Sequence, residues 1–192
     1  LEYKMHVWRM YMTFEFTSPM SWGSWILLFV YPVLFITILL NPAAYFTSKF
    51  PIIVKWSNKL LGSQILIKTI AILNIVLGVM LGIYTGVLLS AFGARPLWNS
   101  SLLGILFLVS GLSTAAALVH IVSKNKEEKV QLARADNGLI VAELVIIMLF
   151  IIGLLSSAEA GMDAVMLILN GKFAAVFWVF IIGLGLVIPL GI

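Results

Sequence analysis

Apolar residues run without interruption over five stretches of the chain, at about 21–41, 65–92, 97–122, 137–156 and 173–192. Each approaches the roughly 20 residues that an α-helix needs to cross a 30 Å hydrocarbon layer. A transmembrane barrel would instead alternate apolar and polar positions over segments of about ten residues. The pattern therefore predicts an all-α integral membrane protein, a polytopic bundle of about five transmembrane helices.

Polar residues punctuate these runs. Segment 42–64 carries Pro42, Lys49, Pro51, Lys55 and Lys59 and reads as a connection. Segment 123–136, with its charged stretch KNKEEK, reads as a solvated loop. Between the second and third runs, FGARPLWNSS is short enough to force an antiparallel hairpin with Arg95, Pro96, Trp98 and Asn99 at its tip. Pro96 stops the incoming helix, and Asn99 or Ser100 can cap the outgoing one. Segment 157–172 has too short an apolar run to span and predicts an interfacial helix ending at Gly171.

Composition carries the same message. The chain is 62% hydrophobic and 10% charged, with a mean hydropathy of +1.12. Soluble domains are about 45–50% apolar and 25% charged, so lipid must be the solvent for most of this surface. The absence of cysteine excludes a disulfide or a thiolate-held iron–sulfur cluster or zinc from this chain. The sequence opens at Leu1 without a signal pattern and stops at Ile192 within an apolar run, which predicts a piece of a longer chain: one domain over 1–192, with flanking helices missing.

Charge sets the expected orientation. Lys49, Lys55, Lys59, Lys68, Lys124, Lys126, Lys129 and Arg134 would share one side, leaving Lys4, Arg9, Arg95 and Lys172 on the other. By the positive-inside rule the first side is cytoplasmic, so residues 1–20, the hairpin tip and segment 157–172 face outward. Ser18-Pro19 then starts the first span, and Trp22 and Trp25 form an outer aromatic collar.

Polar groups inside the spans are the candidate chemistry. Tyr84 lies eight residues before the outer end of its span, about 12 Å deep at 1.5 Å per residue. A buried phenol needs a hydrogen-bond partner, either a ligand or another helix. The same span carries Gly78, Gly82 and Gly86 at four-residue spacing, a ladder for close helix approach. Glu143 is the acidic residue well inside a span, about two turns from the cytoplasmic end. It reads as a proton-path group or as a structural partner of Arg134, Asn74 or the Ser110, Ser113, Thr114 group.

Several classes drop out. The two histidines, His6 and His120, precede the first span and end the third, about 30 Å apart across the membrane, so they cannot share a haem. No phosphate loop, nucleophile–base pair, metal cluster or nucleic-acid stripe is visible. The main competing class is an ion- or solute-translocating subunit lined by Glu143, Asn74 and Lys68. Such a path favours an inverted repeat, and none is apparent. A purely structural anchor is the third class.

Three stretches, TSPMSWGSW, YTGVLLSAFGARPLWNSSLLGILF and GKFAAVFWVFIIGLGLVIPL, together resemble the membrane subunit of polysulfide reductase and the wider NrfD-type family. The Tyr-x-Gly followed by RPLWN is the most specific part. The resemblance implies an eight-helix, haem-free bundle of which this chain holds the third to seventh helices. It implies a multi-pass subunit of the cytoplasmic membrane that binds menaquinone or another quinone near the outer face and exchanges electrons with a four-cluster ferredoxin-like iron–sulfur subunit. A molybdopterin catalytic subunit or a multihaem cytochrome would lie beyond that partner. By the same resemblance Tyr84 contacts the quinone, Arg95, Trp98 and Asn99 stand beside it, and Trp22, Trp25 and Arg95 form the docking rim. Glu143 would lie on a proton route. The family's further quinone contacts fall on a helix that precedes this sequence.

Overall fold

A computed structural model describes residues 9–12, 14–40, 42, 51–91 and 93–191. His6 lies outside them. The described elements are helical throughout, in the order α1 (Arg9–Met12), α2 (Pro19–Leu40), α3 (Pro51–Leu61), α4 (Gln64–Ser90), α5 (Leu102–Val122), α6 (Lys126–Leu155) and α7 (Glu159–Leu169). A π-helix, Val176–Val187, and a last turn, α8 (Ile188–Leu190), follow. Contacts divide the chain into two compact units, Leu1–Tyr84 and Thr85–Ile192.

In the first unit, α2 opens on Pro19, where the missing N–H costs nothing. The Ser18 carbonyl accepts from the amides of Ser21 and Trp22 at 3.1 and 3.4 Å. Asn74 ties α4 to α2, its Nδ2 donating to Thr37 Oγ1 at 2.8 Å and to the Ile70 carbonyl at 3.0 Å. The expected connection over 42–64 is a helix in its second half. Pro51, placed within that connection, is the first residue of α3. Half-buried Val54, buried Ser57 and half-buried Leu60 line one face of it at three-residue spacing. The Ser57 hydroxyl donates to the Leu40 carbonyl at 3.5 Å.

In the second unit α5 and α6 form the most extensive helix pair. The expected loop over 123–136 is corrected as well, because α6 begins at Lys126 and runs for 30 residues. Asn125 caps it, its side chain accepting from the Glu127 amide at 3.1 Å. Glu127 and Glu128 place negative charge in the first turn, where the helix dipole favours it. The Ser123 hydroxyl donates to Glu128 Oε2. Thus KNKEEK is a helix start, and the Asn125-x-x-Glu128 spacing of a capping box was its signal.

Segment 157–172 contains α7, which ends at Leu169 with Asn170 as its C-cap. At the following turn a Cβ on Gly171 would sit 2.7 Å from the Leu167 α-carbon, so the turn requires glycine. The Trp178 indole donates to the Leu169 carbonyl at 3.0 Å and fixes the next helix against the end of α7. That helix covers Val176–Leu190, shorter than the expected span over 173–192. The core of this unit is Ile140 and Ile147 from α6 with Phe177 and Leu186 from the π-helix.

Four of the described helices, α2, α4, α5 and α6, are long and apolar enough to cross a membrane. Their outer faces stay apolar: Ile65, Ile75 and Ile121 are 80%, 67% and 77% exposed. Water would penalise such faces, whereas lipid matches them and leaves helix association to van der Waals packing and hydrogen bonds. The chain is an all-α, multi-pass membrane protein.

Candidate functional site

The first unit holds Tyr84 and the tryptophan collar. Tyr84 is half-buried near the end of α4, and its ring lies against Gly23 of α2. A Cβ built at Gly23 would meet the ring at 1.9 Å from Cζ and 2.1 Å from Oη. No described residue hydrogen-bonds the Tyr84 hydroxyl. The interhelical bond considered for it is therefore not formed among the described residues, while its ring is held by backbone.

On the same two helices, Phe14, Trp22, Trp25, Ile26 and Phe29 line an open pocket of about 520 Å³ with Leu77 and Met80 of α4; Tyr84 and Gly23 are not among its lining residues. Met80 lies one turn before Tyr84 on α4, so the two share a face. The tryptophans differ in role. Trp22 is half-exposed, and its indole donates to the Phe16 carbonyl at 3.0 Å. The Trp25 ring packs edge-on against Phe14, centroids 5.8 Å apart. Its Nε1 is buried without a hydrogen-bond partner among the described residues.

The second unit holds Arg95, Trp98 and Asn99. The Arg95 guanidinium stands over the Trp98 ring, 5.0 Å from its centroid, a cation–π geometry. The Arg95 carbonyl accepts from the amides of Trp98 and Asn99 at 2.9 and 3.1 Å, which curls the tip tightly. The N-cap position of α5 is Ser101, which makes no side-chain cap bond, rather than the expected Asn99 or Ser100, although Ser100 Oγ accepts from the Leu102 amide at 3.3 Å. Asn99 lines a second pocket, about 400 Å³, with Pro96, Ser100, Ser157 and Gly161.

Glu143 stands about 26 Å from the start of α6, near the midpoint of that helix, because α6 begins at Lys126, before the apolar run from 137. It falls on a stripe with Asp136, Ile140 and Ile147 at three- and four-residue spacing, and both isoleucines are buried. Of the structural partners proposed for it, Ser113, Thr114 and Asn74 are engaged otherwise. Ser113 donates to Asp136 Oδ1, Thr114 to the Ser110 carbonyl, and Asn74 to Thr37. No described residue hydrogen-bonds the Glu143 carboxyl.

The glycine ladder is split. A Cβ at Gly86 would reach the Gly104 backbone at 2.2 Å, so α4 and α5 touch there, whereas one at Gly78 would meet nothing within 4 Å. Gly23 was missed by sequence reasoning. Its signal is a glycine inside a helix between two tryptophans.

Residues 4–192 match the model of a family described as "Polysulphide reductase, NrfD". The chain belongs to this family. Among curated NrfD relatives, it is 29% identical over 196 residues to "Protein NrfD homolog" of Haemophilus influenzae, covering 95% of this chain and 60% of the relative. To "Protein NrfD" of Escherichia coli it is 28% identical over 202 residues, covering 95% and 61%. To a polysulfide reductase subunit of Wolinella succinogenes it is 28% identical over 198 residues, covering 96% and 61%. The sequence thus spans about three fifths of the length of these relatives. No solved structure matches it significantly.

Proposed function

We propose that this NrfD-family chain is the membrane anchor of a respiratory oxidoreductase, and that it binds menaquinone or menaquinol beside Tyr84. Electrons would pass to or from an iron–sulfur subunit docked on the outer face around Trp22, Trp25 and Arg95. A molybdopterin subunit or a multihaem cytochrome would complete the assembly in the cytoplasmic membrane.

The observation that carries the reading is a phenol donor with no described partner, one helical turn from Met80, which lines an open apolar pocket on the same two helices. A bound quinone supplies a two-electron, two-proton couple. The protein's part is to receive the ring and its tail and to present a proton donor in a low-dielectric site, where a hydrogen bond to a carbonyl gaining charge is strong. The pocket of about 520 Å³ falls within the 300–1,000 Å³ of small-ligand sites and is lined by aromatic and aliphatic side chains. Arg95, Trp98 and Asn99 are assigned to the mouth of the site by family resemblance.

Glu143 is the group proposed for proton movement coupled to this chemistry. Its position at mid-helix without a described partner also motivates the competing reading, ion translocation without quinone chemistry.

Tyr84→Phe in the intact complex tests the assignment. Loss of one hydrogen bond to a charge-gaining carbonyl, about 1.5–3 kcal/mol, predicts a roughly 10- to 100-fold drop in quinol-dependent turnover. Activity with a viologen that bypasses the membrane subunit should persist. Wild-type quinol turnover in this variant would remove Tyr84 from the site and favour the structural or translocating readings.

A further inference from the structure

A helix glycine in lipid normally permits two backbones to approach, and Gly86 is such a case, since an added Cβ there meets the backbone of Gly104 and Leu103. Gly23 differs. The three atoms nearest to an added Cβ are all at the hydroxyl end of one side chain: Tyr84 Cζ at 1.9 Å, Oη at 2.1 Å and Cε1 at 2.4 Å. The absence of a side chain at Gly23 makes room for a phenol tip rather than for a second helix.

We propose that Gly23 is a positioning residue for Tyr84: the bare backbone of α2 sets where the phenol hydroxyl stands, and with it the donor's reach toward the bound ligand. This inference rests on the reading of Tyr84 as the quinone contact.

The surroundings leave the ring as the part that would move. Non-bonded carbons settle at about 3.5–4.0 Å, so a methyl group at Gly23 would displace the ring tip by roughly 1.5 Å or part the helices. Parting is resisted by burial and by a hydrogen bond between the two helices. Gly23, Ser24 and Ile26 are buried. Asn74 pins α4 to Thr37 of α2. A shift of about 1 Å in a reacting group can cost on the order of 100-fold in rate.

The test uses the assembled complex in membranes with the full-length subunit, menaquinol-analogue kinetics, and viologen-linked activity as the bypass control. Gly23→Ala is expected to lower quinol kcat/KM by roughly 10- to 100-fold with the viologen activity unchanged. Gly23→Ala/Tyr84→Phe is expected to be no worse than Tyr84→Phe alone, because a displaced ring without its hydroxyl has nothing further to lose. Wild-type quinol kinetics in Gly23→Ala, or losses that multiply in the double variant, would overturn the inference. Should Gly23→Ala fail to assemble, Gly23→Ala/Tyr84→Leu removes the ring that the methyl group meets and is expected to restore assembly. Continued failure would mean that Gly23 serves the backbone and not Tyr84. Impaired Tyr84→Phe with unimpaired Gly23→Ala sinks this inference alone, whereas unimpaired Tyr84→Phe sinks the quinone reading and this inference with it.

Discussion

Two glycines of one ladder, identical in local sequence logic, should respond to alanine with opposite signs. A methyl group at Gly86 would stand 2.2 Å from both the α-carbon and the nitrogen of Gly104, and 2.5 Å from the Leu103 carbonyl carbon. These are backbone atoms, which cannot rotate aside, so α4 and α5 must separate by about 1.5 Å to regain ordinary contact. Overpacking of this kind costs about 1–3 kcal/mol. A methyl group at Gly78 meets nothing within 4 Å, and replacing a mid-helix glycine by alanine gains up to about 1 kcal/mol of helix propensity. The assay is thermal unfolding of the purified full-length subunit in detergent. At roughly 2–4 °C per kcal/mol for a protein of this size, Gly86→Ala should melt several degrees below wild type and Gly78→Ala at or slightly above it. Equal shifts for the two variants, or a Gly86→Ala protein as stable as wild type, would refute the assigned crossing of α4 and α5.

Removing the cap of α6 with Asn125→Ala should cost about 0.5–2 kcal/mol. Hydrogen exchange should speed up at the amides of the first turn, Glu127 above all, while the helix centre stays protected; unchanged exchange there would restore the loop reading of KNKEEK. Glu143→Gln keeps size and hydrogen-bonding capacity but removes the titrating carboxyl. In proteoliposomes it should leave quinol turnover near wild type while abolishing turnover-linked proton uptake from the cytoplasmic side, and intact uptake would take Glu143 off the proton route.

How much was legible depended on the kind of interaction at stake. The apolar runs set which segments become long helices, because hydropathy is summed over some 20 residues and tolerates local error. Boundaries depend on a few hydrogen bonds at each end and were read less well. The start of α6 was misplaced by 11 residues, between the expected 137 and the observed Lys126, because charged residues in its first turns imitate a loop. The helix α3 was hidden by a proline and lysines that suit a helix start and a polar face as readily as a connection.

By itself the sequence determined the solvent, the helical class and the chemistry available to the protein: no cysteine, two histidines, and a few polar groups inside apolar spans. Only the tertiary structure decided which of these groups meet. Gly23 and Tyr84 are 61 positions apart in the numbering, and nothing local to either distinguishes a glycine that seats a phenol from one that faces open space. Gly78 and Gly86 make the same point on a single helix. The reason is geometric. A helix crossing brings backbones close at one level only, and that level is set by the packing of both helices, so a small residue gains its meaning from the atoms opposite it.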